Sequence, residues 1–139
     1  MTTAGDIMHP GAQWIPATET LTKAAQLMNS LNVGALPISD ASERLCGIIT
    51  DRDIVVNCVA QGLNPAEMTC GEMAQGTPRW IDAGADVSDV LDEMESHQIK
   101  RLPVIRNKKL VGMISEADLA QHLSEEQLAG FVEKVYARH

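Results

Sequence analysis

Two stretches of this chain repeat each other at a nearly constant offset. Trp14-Ile15-x-Ala17 returns as Trp80-Ile81-x-Ala83, Met28 as Met94 and Leu36-Pro37 as Leu102-Pro103, each 66 positions later. The offset then falls to 65, so that Leu45-x-Gly47 returns as Leu110-x-Gly112, Ile49 as Ile114 and Asp53 as Asp118. One residue is missing from the second copy of a polar loop, residues 39–44 in the first copy and 105–109 in the second. A duplicated unit constrains the fold strongly, because like halves can bury their apolar faces against each other and leave paired clefts at the seam.

Each copy has only about sixty residues, a length at which burial is marginal for independent folding, so the two are expected to share one core. The apolar fraction of 45% suits a globular domain of 139 residues. No stretch approaches the roughly twenty apolar residues of a membrane helix. Met1-Thr2-Thr3-Ala4-Gly5-Asp6 has neither a basic segment nor an apolar run, so no signal peptide is expected. Three cysteines, Cys46, Cys58 and Cys70, form no Cys-x-x-Cys pair, and reduced thiols in the cytoplasm are the expectation. The net charge of −8 argues against nucleic-acid and anionic-membrane partners. Acidic residues dominate positions 82–95 and basic ones positions 100–109, which reads as a solvated acidic helix face followed by a basic turn.

Within the first copy, Trp14-Ile15-Pro16 reads as a short strand. Leu21, Ala24, Ala25, Met28 and Leu31 recur at helical spacing, and Gly34 stands near the place of a C-cap. Residues 35–38 and 45–49 read as two strands, and residues 50–60 as a second helix, giving the order β-α-β-β-α. The second copy repeats it: Trp80-Ile81, a stripe of Val87, Val90, Leu91 and Met94, strands at 102–105 and 110–114, and a helix over 115–123. Pro37 and Pro103 predict edge positions or strand starts, since proline cannot donate to a ladder. Gly62, Pro65, Gly71 and Gly76 mark a connector over residues 61–76, and a short helix is expected near Thr3. Met8 and Met73 precede the two copies at matched places, with packing as their expected role. Ser124-Glu125-Glu126-Gln127 has capping-box form and predicts a terminal helix through Leu128, Val132 and Val135.

Gly34-Ala35-Leu36-Pro37-Ile38 with Gly47-Ile48-Ile49-Thr50-Asp51-Arg52-Asp53, and Lys100-Arg101-Leu102-Pro103-Val104 with Gly112-Met113-Ile114-Ser115-Glu116-Ala117-Asp118, together resemble a tandem pair of cystathionine-β-synthase (CBS) domains. Asp6-Ile7-Met8 and Thr50-Asp51-Arg52-Asp53-Ile54-Val55 make the chain similar to the small stand-alone pairs of the actinobacterial hypoxic-response type. The resemblance implies an α+β fold of two β-α-β-β-α repeats with pseudo-two-fold symmetry (a Bateman module) plus a C-terminal helix. The expected boundaries are 3–61 and 74–123 for the repeats, 62–73 for the connector and 124–139 for the terminal helix. It further implies a non-catalytic regulatory module, homodimeric, binding an adenine nucleotide such as AMP, ADP or ATP and acting on an unidentified protein effector. No cofactor is required.

Thr50-x-x-Asp53 and Ser115-x-x-Asp118 each stand where a strand gives way to a helix. One reading is helix capping alone, a hydroxyl and an acid satisfying the first free amides. The other is a nucleotide site, in which those amides suit a phosphate and the carboxylate accepts hydrogen bonds from ribose. Carried over from the family, Thr50, Arg52 and Asp53 work with Ile99, Lys100 and Arg101, while Ser115 and Asp118 work with Val33, Gly34 and Ala35. The first set holds three cations and the second none. Charge-assisted bonds contribute about 1.5–3 kcal/mol each, so the phosphorylated ligand is expected at Asp53. The Asp118 site is expected to be weak, empty or suited to an uncharged nucleoside. Val33, Ile99, Ile48 and Met113 would form an aliphatic slot for adenine.

Trp14 and Trp80 read as packing residues or as base contacts. His9, His97, His122, His139 and the cysteines show no close zinc spacing, so no metal ligand is assigned, although a composite site between subunits stays open. Cys46 reads as strand core, and redox sensing by an exposed thiol is open. No nucleophile with its base and no Gly-rich phosphate loop is present, so an enzyme is not expected. The competing reading is a stress-linked interaction protein with vestigial clefts and a metal at a subunit seam.

Overall fold

A computed structural model describes residues 2–11, 13–73 and 78–137. The chain divides into two compact units, Gln13–Pro78 and a second made of Met1–Ala12 with Arg79–His139.

In Gln13–Pro78, β2 (Ile15–Pro16) lies parallel to β3 (Ala35–Ser39), which lies antiparallel to β4 (Leu45–Thr50). Helix α2 (Leu21–Leu31) connects β2 to β3. The other unit repeats this with β5 (Ile81–Asp82), α5 (Val87–Ser96), β6 (Arg101–Arg106) and β7 (Lys109–Ser115). Matched residues keep matched partners: Leu36 faces Ile49 as Leu102 faces Ile114, and Ala35 faces Thr50 as Arg101 faces Ser115. The deleted residue lies in the β3–β4 loop, which narrows in the second copy to a two-residue turn. Asn107 and Lys108 there both have positive φ, the backbone of a type I′ hairpin turn.

Both prolines stand inside the middle strand of a sheet, neither at an edge nor at a strand start as expected. The conflict is resolved residue by residue. Strand β2 pairs only with Ile38 and Ser39, and β5 only with Val104 and Ile105, so Pro37 and Pro103 have a laddered neighbour on one side alone. Their missing N–H groups are not demanded there.

Helix α2 buries Leu21, Ala24 and Met28, whereas Ala25 and Leu31 of the expected stripe are exposed. Its end is made by Asn32 in the left-handed region, not by Gly34. Gln98, 66 positions on, takes the same conformation after α5. The Val33 and Ile99 amides each reach back five residues, to the Met28 and Met94 carbonyls at 3.0 Å, which turns the chain sharply into the next strand. The second helix of the first copy is a single α-turn, α3 (Asp51–Asp53), running into a π-helical segment Ile54–Val59 that buries Ile54 and Cys58.

The sequence repeat extends further upstream than its motifs suggest, and its flanks change places. The Ala4 and Gly5 amides bond to Ala85 and Ala83 of the second copy, while Cys70 and Gly71 bond to Glu19 and Ala17 of the first. Every one of these pairs is offset by 66, which matches Met73 to Ile7 and not to Met8. Helix α1 (Ala4–Ile7) therefore packs in the unit of the second repeat, and α4 (Cys70–Met73) in that of the first. The connector is in part structural.

Among the described residues, each unit holds an apolar cluster of its own. One holds Ile15, Leu21, Met28, Leu36, Ile38, Ile49 and Cys70; the other holds Ile7, Val90, Met94, Leu102, Ile114, Leu119 and Phe131. Each unit is enlarged by the flanking helix, and the second also by α7 (Glu125–Val135), which supplies Phe131 and Val135. These additions raise the buried area above what sixty residues allow. Val132, one of the residues that marked this helix in the sequence, is exposed.

Candidate functional site

The two strand-to-helix turns are capping boxes built on matched residues. At the first, the Thr50 amide donates to Asp53 Oδ2 and the Asp53 amide donates to Thr50 Oγ1, both at 3.0 Å. These bonds confirm the capping reading as far as it goes. They leave the Thr50 O–H and the other Asp53 oxygen without a hydrogen-bond partner among the described residues. Arg52 is exposed, and its guanidinium makes no ion pair among the described residues.

At the second turn, which opens α6 (Glu116–His122), Asp118 Oδ2 accepts from the Ser115 amide at 2.8 Å and from the Ser115 hydroxyl at 3.0 Å. It also meets His9 Nδ1 at 2.7 Å. Asp118 is the one buried charged residue among the described residues. His9 comes from β1 (His9–Pro10), which pairs antiparallel with β7. The His9 contact was not read from sequence, where His9 was weighed only as a metal ligand. A separation of 109 residues has no local signal.

Of the other candidates, Val33, Gly34 and Ala35 lie beside Thr50: Ala35 pairs with Thr50, and the Gly34 carbonyl accepts from the Asp51 amide at 3.0 Å. Ile99, Lys100 and Arg101 lie likewise beside Ser115 in their own unit, with Arg101 paired to Ser115. Arg101 is partly buried and has no ion pair among the described residues. The Lys100 ammonium stands 4.4 Å from the centre of the Tyr136 ring, a cation–π contact. Tyr136 donates its hydroxyl to Glu116 at 2.6 Å, and this bond, with the nearby negative charge, raises the phenol above its ordinary range. Of the slot residues, Met113 is buried, while Ile48, Val33 and Ile99 are partly so.

Much of the acidic face of α5 is partnered. Glu93 lies 3.4 Å from Arg79, and Glu95 lies 3.3 Å from Lys134 of α7. Trp14 lines a shallow groove of about 360 Å³ with Glu19, Lys23 and Leu27, which none of the candidate ligand residues touches. Trp80 is half exposed. Cys46 is partly buried in β4 and packs against the apolar cluster of its unit, in keeping with the strand-core reading. Burial and the nearby Glu19 push the Cys70 thiol up to about 11. Among the described residues no group of three His, Cys, Asp or Glu side chains is placed to hold a metal ion. None of the described helices is long and apolar enough to cross a membrane.

The CBS domain family matches residues 4–59 and again 71–125. The chain belongs to that family. Hypoxic response protein 1 of Mycobacterium tuberculosis (strain ATCC 25618 / H37Rv) is 46% identical over 135 residues, spanning 97% of this chain and 94% of its own. A crystal structure of Hypoxic Response Protein I with two coordinated zinc ions superimposes with a TM-score of 0.80 at 47% identity, over 88% of this chain and 100% of that one. A CBS domain protein from Pyrobaculum aerophilum, in complex with AMP, shares the fold with a TM-score of 0.79 at 21% identity, over 94% and 98% of the two chains. The chain is thus a CBS pair, a type of module that is generally regulatory.

Proposed function

We propose that this CBS pair is a non-catalytic sensor that binds an adenosine-containing ligand and passes a conformational change to a protein effector. The ligand is of the AMP, ADP or ATP kind, and Asp53 is its main anchor. The observation that carries the reading is the Thr50–Asp53 turn. There a hydroxyl proton and a carboxylate oxygen are unengaged among the described residues, beside an arginine without an ion pair. Those groups suit ribose hydroxyls and a phosphate. Arg101 and Lys100 complete the phosphate contacts in this reading, with Val33 and Ile99 against the base. Support comes from the AMP complex of a protein that shares the fold.

Calorimetric titration with AMP, ADP, ATP, NADH and S-adenosylmethionine tests the proposal. Micromolar binding that disappears in Asp53→Ala and Arg101→Ala, but persists in Asp118→Ala, is the expected result. Binding of none of these ligands removes the reading.

The same proposal places the protein in the cytoplasm as a homodimer. Val55, Val56, Val59 and Leu63 are exposed and adjacent in sequence along and just beyond the π-helical segment, an apolar set suited to a second copy. Light scattering after gel filtration gives the mass that decides this. The boundaries 3–61 and 74–123 belong to the proposal as well, and limited proteolysis maps them.

A second reading has one specific support, the two zinc ions in the 47% identical relative. In it the chain is a stress-linked interaction protein whose metal is held between subunits. The described side chains of one copy do not fit a metal ion by themselves. A large drop in melting temperature with EDTA, together with no shift from any nucleotide, favours this reading over the first.

A further inference from the structure

Among the described residues, Asp118 meets a side chain from the N-terminal strand and Asp53 does not. Strand β1 runs directly across β7 at Gly112, where a Cβ would collide with Met8 Sδ and lie 2.8 Å from the His9 carbonyl oxygen. This approach sets His9 opposite Met113 and brings its ring to Asp118. Asp118 Oδ2 then faces three donors between 2.7 and 3.0 Å: His9 Nδ1, the Ser115 amide and the Ser115 hydroxyl. The Ser115 amide and hydroxyl already match the about two lone-pair sites of Oδ2. His9 is the one donor of the three that comes from a distant segment and sets a ring beside the carboxylate, while Oδ1 has no partner among the described residues. The Ser115 hydroxyl proton is committed to the same oxygen. At the other turn, Asp53 accepts one bond among the described residues, and the Thr50 hydroxyl acts as acceptor with its own proton unengaged. The residue 66 positions after His9 is Gln75, which lies outside the described residues.

We propose that His9 withdraws Asp118 from ligand binding, so that one chain has a working adenosine site at Asp53 and a second site that His9 keeps closed. The inference rests on the adenosine reading above and assigns the inequality of the two sites to a named residue. A ribose that takes Asp118 Oδ2 must displace a short hydrogen bond to a carboxylate, made by a ring that comes from the strand paired to β7. His9 is thus a specificity residue acting through Asp118. Since Ala35 and Ala117 stand where Arg101 and Arg52 stand at the other site, the opened Asp118 site takes an uncharged nucleoside.

The test is titration of the full chain with adenosine and, separately, with AMP. His9→Ala is expected to bind adenosine at least about tenfold more tightly than the unaltered chain. Adding Asp118→Ala removes that gain, and adding Asp53→Ala does not. His9→Asn, whose side-chain amide can donate from near the place of Nδ1, keeps the site closed and separates a lost hydrogen bond from a disturbed strand. A His9→Ala protein that melts normally and gains no adenosine binding overturns the inference, and so does an equal gain in His9→Asn. AMP binding to the unaltered chain that Asp53→Ala abolishes reports on the proposed function alone. If it is present while His9→Ala gains nothing, only the present inference fails; if AMP and adenosine bind neither protein, the present inference fails, and the proposed function fails with it when ADP, ATP, NADH and S-adenosylmethionine do not bind either.

Discussion

Thr50–Asp53 and Ser115–Asp118 are the same turn written twice, yet the two carboxylates meet different surroundings. Asp53 caps its turn and accepts one hydrogen bond among the described residues. Asp118 is buried and accepts from its own cap and from His9. The difference shows that duplication preserves the local motif while the segment laid across it sets its chemistry. Here that segment is the flank exchanged between the copies.

The most damaging change separates the units, not the turns. Phe131 is almost fully buried and belongs to α7, an element that the first repeat has no equivalent of. Phe131→Ala should cost about 3–5 kcal/mol in urea unfolding; a loss below about 1 kcal/mol would mean that α7 is not part of that core.

Next in size is the contrast between the acids. Asp118→Ala removes three bonds from a buried group and should cost about 2–3 kcal/mol, whereas Asp53→Ala removes a cap contact and should cost about 1 kcal/mol. Equal losses for the two variants would break the comparison directly.

A smaller difference lies at the helix starts. Thr20 caps α2 through a hydroxyl, accepting from the Lys23 amide at 3.2 Å, while Asp86 caps α5 through a carboxylate bonded to the Ser88 hydroxyl and amide. Those bonds hold Asp86 below the ordinary aspartate range. Its contribution is therefore complete above roughly pH 3.9, the free-aspartate value, and is lost as pH falls through the lowered folded value. Amide exchange during acid titration should show α5 fraying before α2, a difference that Asp86→Ser abolishes.

The least effect is expected from the thiols, all three of which lie in Gln13–Pro78. Iodoacetamide near neutral pH should label the partly exposed Cys46 well before Cys70, whose thiol titrates at about 11. Mass spectrometry reads the order, and prior labelling of Cys70 would mean that the first unit opens readily.

Much of this molecule is legible without coordinates, for identifiable reasons. The Leu36-Pro37 and Leu102-Pro103 strands, the helix stripes through Met28 and Met94 and the Ser124 capping box are written in spacings of a few residues. Two such patterns in register named the family. The failures have a common cause as well. Asn32 ends α2 in place of Gly34 because an asparagine can take the left-handed backbone that glycine marks more loudly. Pro37 and Pro103 sit in middle strands because β2 and β5 are too short to reach them.

By itself, the sequence determined the duplication, the strand and helix order within each copy, the capping turns and the unequal supply of cations around them. Each of these is a local pattern, governed by the chain's own periodicity and by side chains within one turn of their partners. Tertiary structure alone decided that the copies exchange their flanking helices, that α7 joins the cluster of the second unit, and that His9 meets Asp118. Those outcomes depend on which distant segments bury each other, and a gap of 109 residues leaves no trace in local spacing.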